Sequence, residues 1–322
     1  MKRFLTPILK IAVSALLVGF LLKRIGVQPL VHELAHANLF WLSLAFLCFS
    51  GSTVLGAFQW HLLLRARSVH FPFARTLGYY YVGLFFNNFL IGYVGGDAFR
   101  IYDAGRASGN ATAAASAVLF DRLIGFVVLT SLALLASLAW LQQFALGKMA
   151  LVAVLILVVW AAAVAVLFEE KIARAVAPLI TFLLPGRFYS RARDLYRELN
   201  AFRHQKRTLA RILAVSVVVQ FLRVATHFFA GLTVGVHANM VYFLVFIPIV
   251  ALMASLPITF GGIGMREQTG VALFSQIGVA PSSVTAMEFL AYLVGVFSSL
   301  PGGIYFLLRR EQLRPAADMA SS

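Results

Sequence analysis

The chain has 322 residues, of which 61% are hydrophobic and only 12% charged, and its formal net charge is +15. A water-soluble domain has about a quarter of its residues charged, so a chain this apolar takes the bilayer as its solvent. Its Lys and Arg fall mostly in short gaps between apolar runs, the pattern of cytoplasmic loops and not of a nucleic-acid-binding face. The lone cysteine, Cys48, excludes an intramolecular disulfide and any cysteine-based metal cluster.

Eight apolar runs are long enough, or nearly so, to cross a bilayer: roughly 4–22, 39–64, 76–96, 113–140, 149–168, 212–236, 240–260 and 288–308. The first follows Met1-Lys2-Arg3 and resembles a signal peptide. Lys10 interrupts it and Lys23-Arg24 close it before the cleavage-like Ala35-His36-Ala37, so it reads as an uncleaved signal anchor. The gap 25–38 has no Lys or Arg and suits the outside, whereas Arg65, Arg67 and Arg75 place the next gap in the cytoplasm. The gap 169–211 holds ten basic and four acidic residues, a net +6, and also belongs inside.

Eight full crossings would put that basic segment outside. One run before it must therefore fail to cross. The best candidate is 76–96, which ends in Gly95-Gly96 followed by Asp97 and Arg100. The same parity argument applies to the tail, with Arg309, Arg310 and Arg314, and makes about 240–280, with Gly261-Gly262 and Gly264, the second re-entrant element. The expected architecture is an all-α polytopic membrane protein with about six crossing helices and two re-entrant elements. It forms a single transmembrane domain, with half-repeats of roughly 1–168 and 208–322 joined by a basic cytoplasmic segment, 169–207, and with both termini cytoplasmic. Broken backbone at membrane depth requires surrounding protein or a polar cavity, so two breaks imply a shared interior site.

Both breaks read G-G-x-x-x-R, as Gly95-Gly96-Asp97-Ala98-Phe99-Arg100 and Gly261-Gly262-Ile263-Gly264-Met265-Arg266. One is approached from inside and the other from outside, which is the mark of an inverted repeat. The glycines are expected to end one half-helix, with the next beginning near Asp97 or Gly264. The free N–H groups of its first turn, with Arg100 or Arg266 beside them, suit a lipid phosphate. Gly95, Gly96, Arg100, Gly261, Gly262 and Arg266 are thus the candidate headgroup site. A competing reading makes the glycines packing contacts and each Arg a snorkelling anchor.

Ionisable residues inside apolar runs usually face a cavity or a partner. Asp97, Asp121, Arg122, Arg223, Glu267 and Glu288 are the candidate polar lining, with Gln220 and His227 adding polar surface on the Arg223 helix. Asp121 and Arg122 diverge by about 100° on a helix, so they are expected to pair with different groups, Arg266 or Glu267 among them. Gly56, in the 39–64 run, is expected to tolerate alanine. The sequence carries no H-E-x-x-H, G-x-S-x-G, D-x-D or Walker-type loop, so no catalytic residue, cofactor or metal is assigned.

At Gly95–Arg106 (GGDAFRIYDAGR), Asp121–Gly125 (DRLIG), Leu256–Glu267 (LPITFGGIGMRE) and Leu300–Gly303 (LPGG), the chain resembles the transmembrane region of lysylphosphatidylglycerol synthases, a flippase-like family of multi-pass proteins. The resemblance spans nearly the whole chain. It implies the lipid-flipping module without the aminoacyl-transferase domain of the full synthases. The expected function is to bind and flip a polar-headed, anionic lipid across the cell membrane. Membrane lipids would be the partners, with a separate lipid-modifying enzyme as a further candidate, and no nucleic acid. The alternative, implied by labels on some relatives, is a membrane enzyme or accessory subunit in lipid-linked sugar (polyprenyl-phosphate) or lipid-modification pathways. A scaffold that recruits a soluble enzyme through 169–211 is a third.

Overall fold

A computed structural model describes residues 37–88, 94–139, 205–255, 262 and 264–309, with isolated helical positions between 158 and 200. The elements are α1 (Leu39–Ala66), α2 (Phe73–Asn87), α3 (Val94–Ser108), α4 (Ala111–Ala139), α5 (Lys206–Thr233), α6 (Met240–Ser255), α7 (Met265–Phe274) and α8 (Pro281–Leu308), with a 3₁₀ turn at Ser275–Ile277 before α8. Helix is what lipid demands, because each backbone N–H and C=O must be satisfied within its own segment. α1, α4, α5 and α8 contain windows of mean hydropathy 1.6 to 2.1. At 28 or 29 residues each they reach ~42 Å, more than the ~30 Å of bilayer hydrocarbon. α2, α3, α6 and α7 have 15, 15, 16 and 10 residues, so each stops short at ~24 Å or less.

The order long, short, short, long thus occurs twice. Leu39 and Lys206, which open α1 and α5, are 167 residues apart, and so are Phe73 and Met240, which open α2 and α6. Packing obeys the same exchange: α2 lies on α8 as α6 lies on α4, and α1 touches α4 and α8 as α5 touches α8 and α4. The pair at the centre is α1 with α5, and it runs antiparallel. At one end the Asn38 N–H donates to the Thr233 carbonyl (3.4 Å), and at the other Gln205 Nε2 donates to the Ala66 carbonyl (2.9 Å). Corresponding elements of the two halves therefore point in opposite directions, and the eight described helices are arranged as an inverted repeat.

This gives the bundle two unlike ends. One carries Arg65, Arg67, Arg75, Arg106, Lys206, Arg207 and Arg309, and among the described residues the other carries no Lys or Arg. The hairpin α2–α3 enters from the basic end and the hairpin α6–α7 from the opposite end. Four of the six crossing helices anticipated from sequence are described. Residues 4–22, most of 149–168, most of the basic segment 169–207 and the tail beyond 309 lie outside the described residues.

The position of the first break differs from expectation. Gly95 and Gly96 lie inside the first turn of α3, so Asp97 is not its cap, and the chain leaves α2 earlier, at Asn88. Gly96 serves close packing: a Cβ there would collide with the Gly83 carbonyl oxygen of α2. The second element follows the expected form. Gly262 and Gly264 have φ of 75° and 88°, and α7 begins directly after them. Gly261 lies outside the described residues.

Candidate functional site

Residues that flank the turns of both hairpins wall one cavity of about 200 Å³ in the middle of the bundle. Asn87, Asn88 and Arg100 come from the first hairpin, and Ser255 and Arg266 from the second. The long helices contribute residues from their central turns: Gly56 and Gln59 of α1, Asp121 and Arg122 of α4, Gln220 and Arg223 of α5, Tyr292 of α8. A site at the centre of four helices of bilayer length lies near the bilayer midplane.

Four arginines reach this cavity, and their surroundings differ. Arg100 is 3% exposed. It donates to Asp121 Oδ2 (2.9 Å) and Asp97 Oδ1 (3.3 Å), and its guanidinium carbon lies 4.4 Å from the Trp60 ring centre and 4.5 Å from that of Tyr80. Asp121 also accepts from Gln59 Nε2 (2.8 Å). Arg122 grips Asp97 through Nε (2.7 Å) and Nη2 (3.0 Å). The result is a chain of alternating charge, Arg122–Asp97–Arg100–Asp121, neutral as a unit and held between α3 and α4. Asp121 and Arg122 do diverge to different partners, but those partners are Arg100 and Asp97, not Arg266 or Glu267.

Arg223 is the contrasting case. Among the described residues no carboxylate lies within ion-pair distance of it, and its one hydrogen bond is a long one to the Tyr80 hydroxyl (3.4 Å). Arg266 covers the Tyr292 ring (5.3 Å), and the Tyr292 hydroxyl donates to the Asn88 carbonyl (3.1 Å). Tyr292 therefore ties the second hairpin tip to the first. With Arg100 and Arg122 set against the two aspartates, Arg223 is left as a cavity cation that meets no carboxylate among the described residues. His227, one turn beyond Arg223, also lines the cavity, and its Nδ1 lies 3.2 Å from Glu288 Oε1.

Of the other residues singled out from sequence, Asp97 stands behind the cavity as counter-ion to two arginines. Glu267 accepts the Gly264 N–H (2.6 Å) and closes the start of its own helix. Glu288 is fully buried against His227. Gly96 faces α2, and its N–H donates to Asn87 Oδ1 (2.9 Å). Sequence reasoning missed Asn87, Asn88, Gln59, Tyr80 and Tyr292. The Asn-Asn pair within an apolar run was the available signal, because polar amides at such depth need partners. Gly56 also differs from expectation: a Cβ there would lie 2.5 Å from the Tyr80 hydroxyl, so this glycine makes room for a cavity residue.

Fold and site together define a multi-pass helical membrane protein built as an inverted repeat around an intramembrane polar cavity. The family model for the lysylphosphatidylglycerol synthase transmembrane region matches residues 8–302, and the chain belongs to that family. Among curated proteins it is similar to a UPF0104 membrane protein of Pyrococcus horikoshii, 24% identical over 97% of this chain and 99% of the relative. A UPF0104 membrane protein of Methanothermobacter thermautotrophicus is also 24% identical, over 92% of each chain.

Proposed function

We propose that this protein binds a polar-headed, anionic lipid and moves it between the leaflets of the cell membrane. The observation that carries the reading is Arg223: a cation near the midplane, on a cavity wall, with no carboxylate partner among the described residues. A charge at that depth costs at least ~2.5 kcal/mol, and an anionic headgroup would offset it. Arg266 stands across the cavity as a second donor, and the forked guanidinium suits a phosphate better than a point charge does. Arg100 and Arg122, with Asp97 and Asp121, hold the wall in shape. Gly262 positions the Arg266 turn, and Gln220 adds a polar edge. A cavity of about 200 Å³ is smaller than the ~300–1,000 Å³ typical of drug-sized ligand sites, so it admits a headgroup and leaves the acyl chains in lipid. The basic end of the bundle faces the cytoplasm by the positive-inside rule.

The test is purified protein in liposomes containing acyl-NBD phosphatidylglycerol or acyl-NBD phosphatidylcholine, with dithionite reporting the label in the outer leaflet. The expected result is faster exchange of the anionic lipid, lost in Arg223→Ala and in Arg266→Ala and partly restored by Arg223→Lys. Equal rates for both lipids, or full activity in both alanine variants, overturns the reading.

A further inference from the structure

Glu288 has no exposed surface, and its Oε2 has no hydrogen-bond partner among the described residues. Its Oε1 meets His227 Nδ1 at 3.2 Å, and the His227 side chain is 18% exposed, toward the cavity. From this geometry we infer that His227 and Glu288 form a proton-binding site that couples lipid movement to proton movement in the same direction. The inference rests on the lipid-translocation reading above.

The chemistry runs as follows. A fully buried carboxylate needs a counter-charge or a proton, and the partner Glu288 has among the described residues is the imidazole of His227, a side chain that can take up and release a proton. The pair can bind a proton on either member or on both, which changes its net charge by one unit while the atoms stay in contact. His227 reaches the cavity, so protons enter from the space the headgroup would occupy. Among the described residues, the charged and titratable groups that line the same cavity are Arg223 on its own helix, Arg100 on α3, already paired with Asp97 and Asp121, Asp121 and Arg122 on α4, Arg266 on α7, and the hydroxyls of Tyr80 on α2 and Tyr292 on α8. The parts of α1 and α6 that line the cavity are uncharged.

An anion on Arg223 would lie four residues, one helical turn, from His227, and so would place negative charge beside the pair. Anion and proton then favour each other's binding, and by linkage the effect is reciprocal. The pair also touches a structural element that could respond. Gly270 of α7 packs on it, since a Cβ there would lie 3.1 Å from Glu288 Cγ, and α7 carries Arg266 one turn earlier. A change of charge on Glu288 therefore acts directly beneath the hairpin that holds a cavity arginine.

The experiment uses proteoliposomes with acyl-NBD phosphatidylglycerol, an acidic exterior and a lumen one pH unit more alkaline, with protein-free vesicles as control. The readout is the final dithionite-accessible fraction, not the rate. One proton per lipid sets a limit of roughly tenfold enrichment in the inner leaflet per pH unit, so the accessible fraction should fall from about half toward a tenth and return to half with a protonophore. In Glu288→Gln and in His227→Gln the final distribution should be equal in both leaflets, at whatever rate it is approached. If lipid moves in the wild type but stays evenly distributed under the gradient, or if both variants still concentrate it, the coupling is overturned and the translocation reading stands. If no lipid moves in any protein, both fall.

Discussion

At the scale of single residues, the four cavity arginines show how one residue type serves two ends. Arg100 and Arg122 share Asp97 and Asp121 in a closed chain of charge. Removing one member of a buried pair leaves an uncompensated charge and typically costs about 3–5 kcal/mol. Asp121→Ala should therefore lower the Tm of the purified protein sharply, because two arginines would then compete for Asp97. Arg100→Leu/Asp121→Leu should be milder than Asp121→Ala alone, since Arg122 and Asp97 remain balanced one to one. Arg223→Ala, which breaks no ion pair among the described residues, should change stability by less than about 1 kcal/mol while taking one cation out of the cavity. All are read by thermal unfolding in one detergent. A Tm for Asp121→Ala equal to wild type would show that the network does not hold α3 to α4. Sequence alone ranks Arg100 as a headgroup ligand and Arg223 as lining. Their surroundings reverse that emphasis, because the tertiary meeting of α3 with α4 decides which arginine is neutralised.

At the scale of elements, the two glycine motifs match in sequence and differ in use. Gly96 permits two helices to touch, and Gly264 permits a turn. Alanine at Gly96 must displace the α2 backbone at Gly83, an overpacking change of about 1–3 kcal/mol. Alanine at Gly264 meets nothing within 4 Å, so its whole effect is the φ of 88°, about 1–2 kcal/mol. A larger side chain separates the two: Gly96→Val should worsen greatly on Gly96→Ala, and Gly264→Val only modestly on Gly264→Ala, in yield of folded protein and Tm. A tolerated Gly96→Val would remove the close contact from the account of the hairpin. Hydropathy and loop charge were enough to read the long helices within a few residues, and parity together with the double glycines indicated which runs fall short. The polar starts Lys206–Arg211 of α5 and Pro281–Thr285 of α8 were not read as helix, because backbone hydrogen bonding continues past the apolar stretch. The break after Asn88 was hidden because Phe85, Phe86 and the apolar residues after it look the same to hydropathy on either side of a turn.

At the scale of the whole molecule, inversion gives the cavity two different covers. The α2–α3 hairpin bounds it toward the basic end and the α6–α7 hairpin toward the other, with Tyr292 joined to both tips. In the translocation reading proposed above, a two-fold arrangement of this kind would let one site face either side by movement of one cover at a time, with the acyl chains left in lipid. The arrangement makes a strict claim about sides. His70 and Ala107 stand exposed at the basic end, His237 and Ser282 exposed at the other. In a background with Cys48 replaced, single cysteines at His237 and Ser282 should react with a membrane-impermeant maleimide on intact cells. Cysteines at His70 and Ala107 should react only after lysis. Reversed labelling would turn the protein over in the membrane and leave the fold intact. Opposite labelling of His70 and Ala107 would be more serious. These two positions flank the first hairpin, and only a return to the same side is compatible with two helices of 15 residues, each ~22 Å long in ~30 Å of hydrocarbon. That outcome would break the inverted repeat and, with it, the shared cavity that residues of both hairpins line.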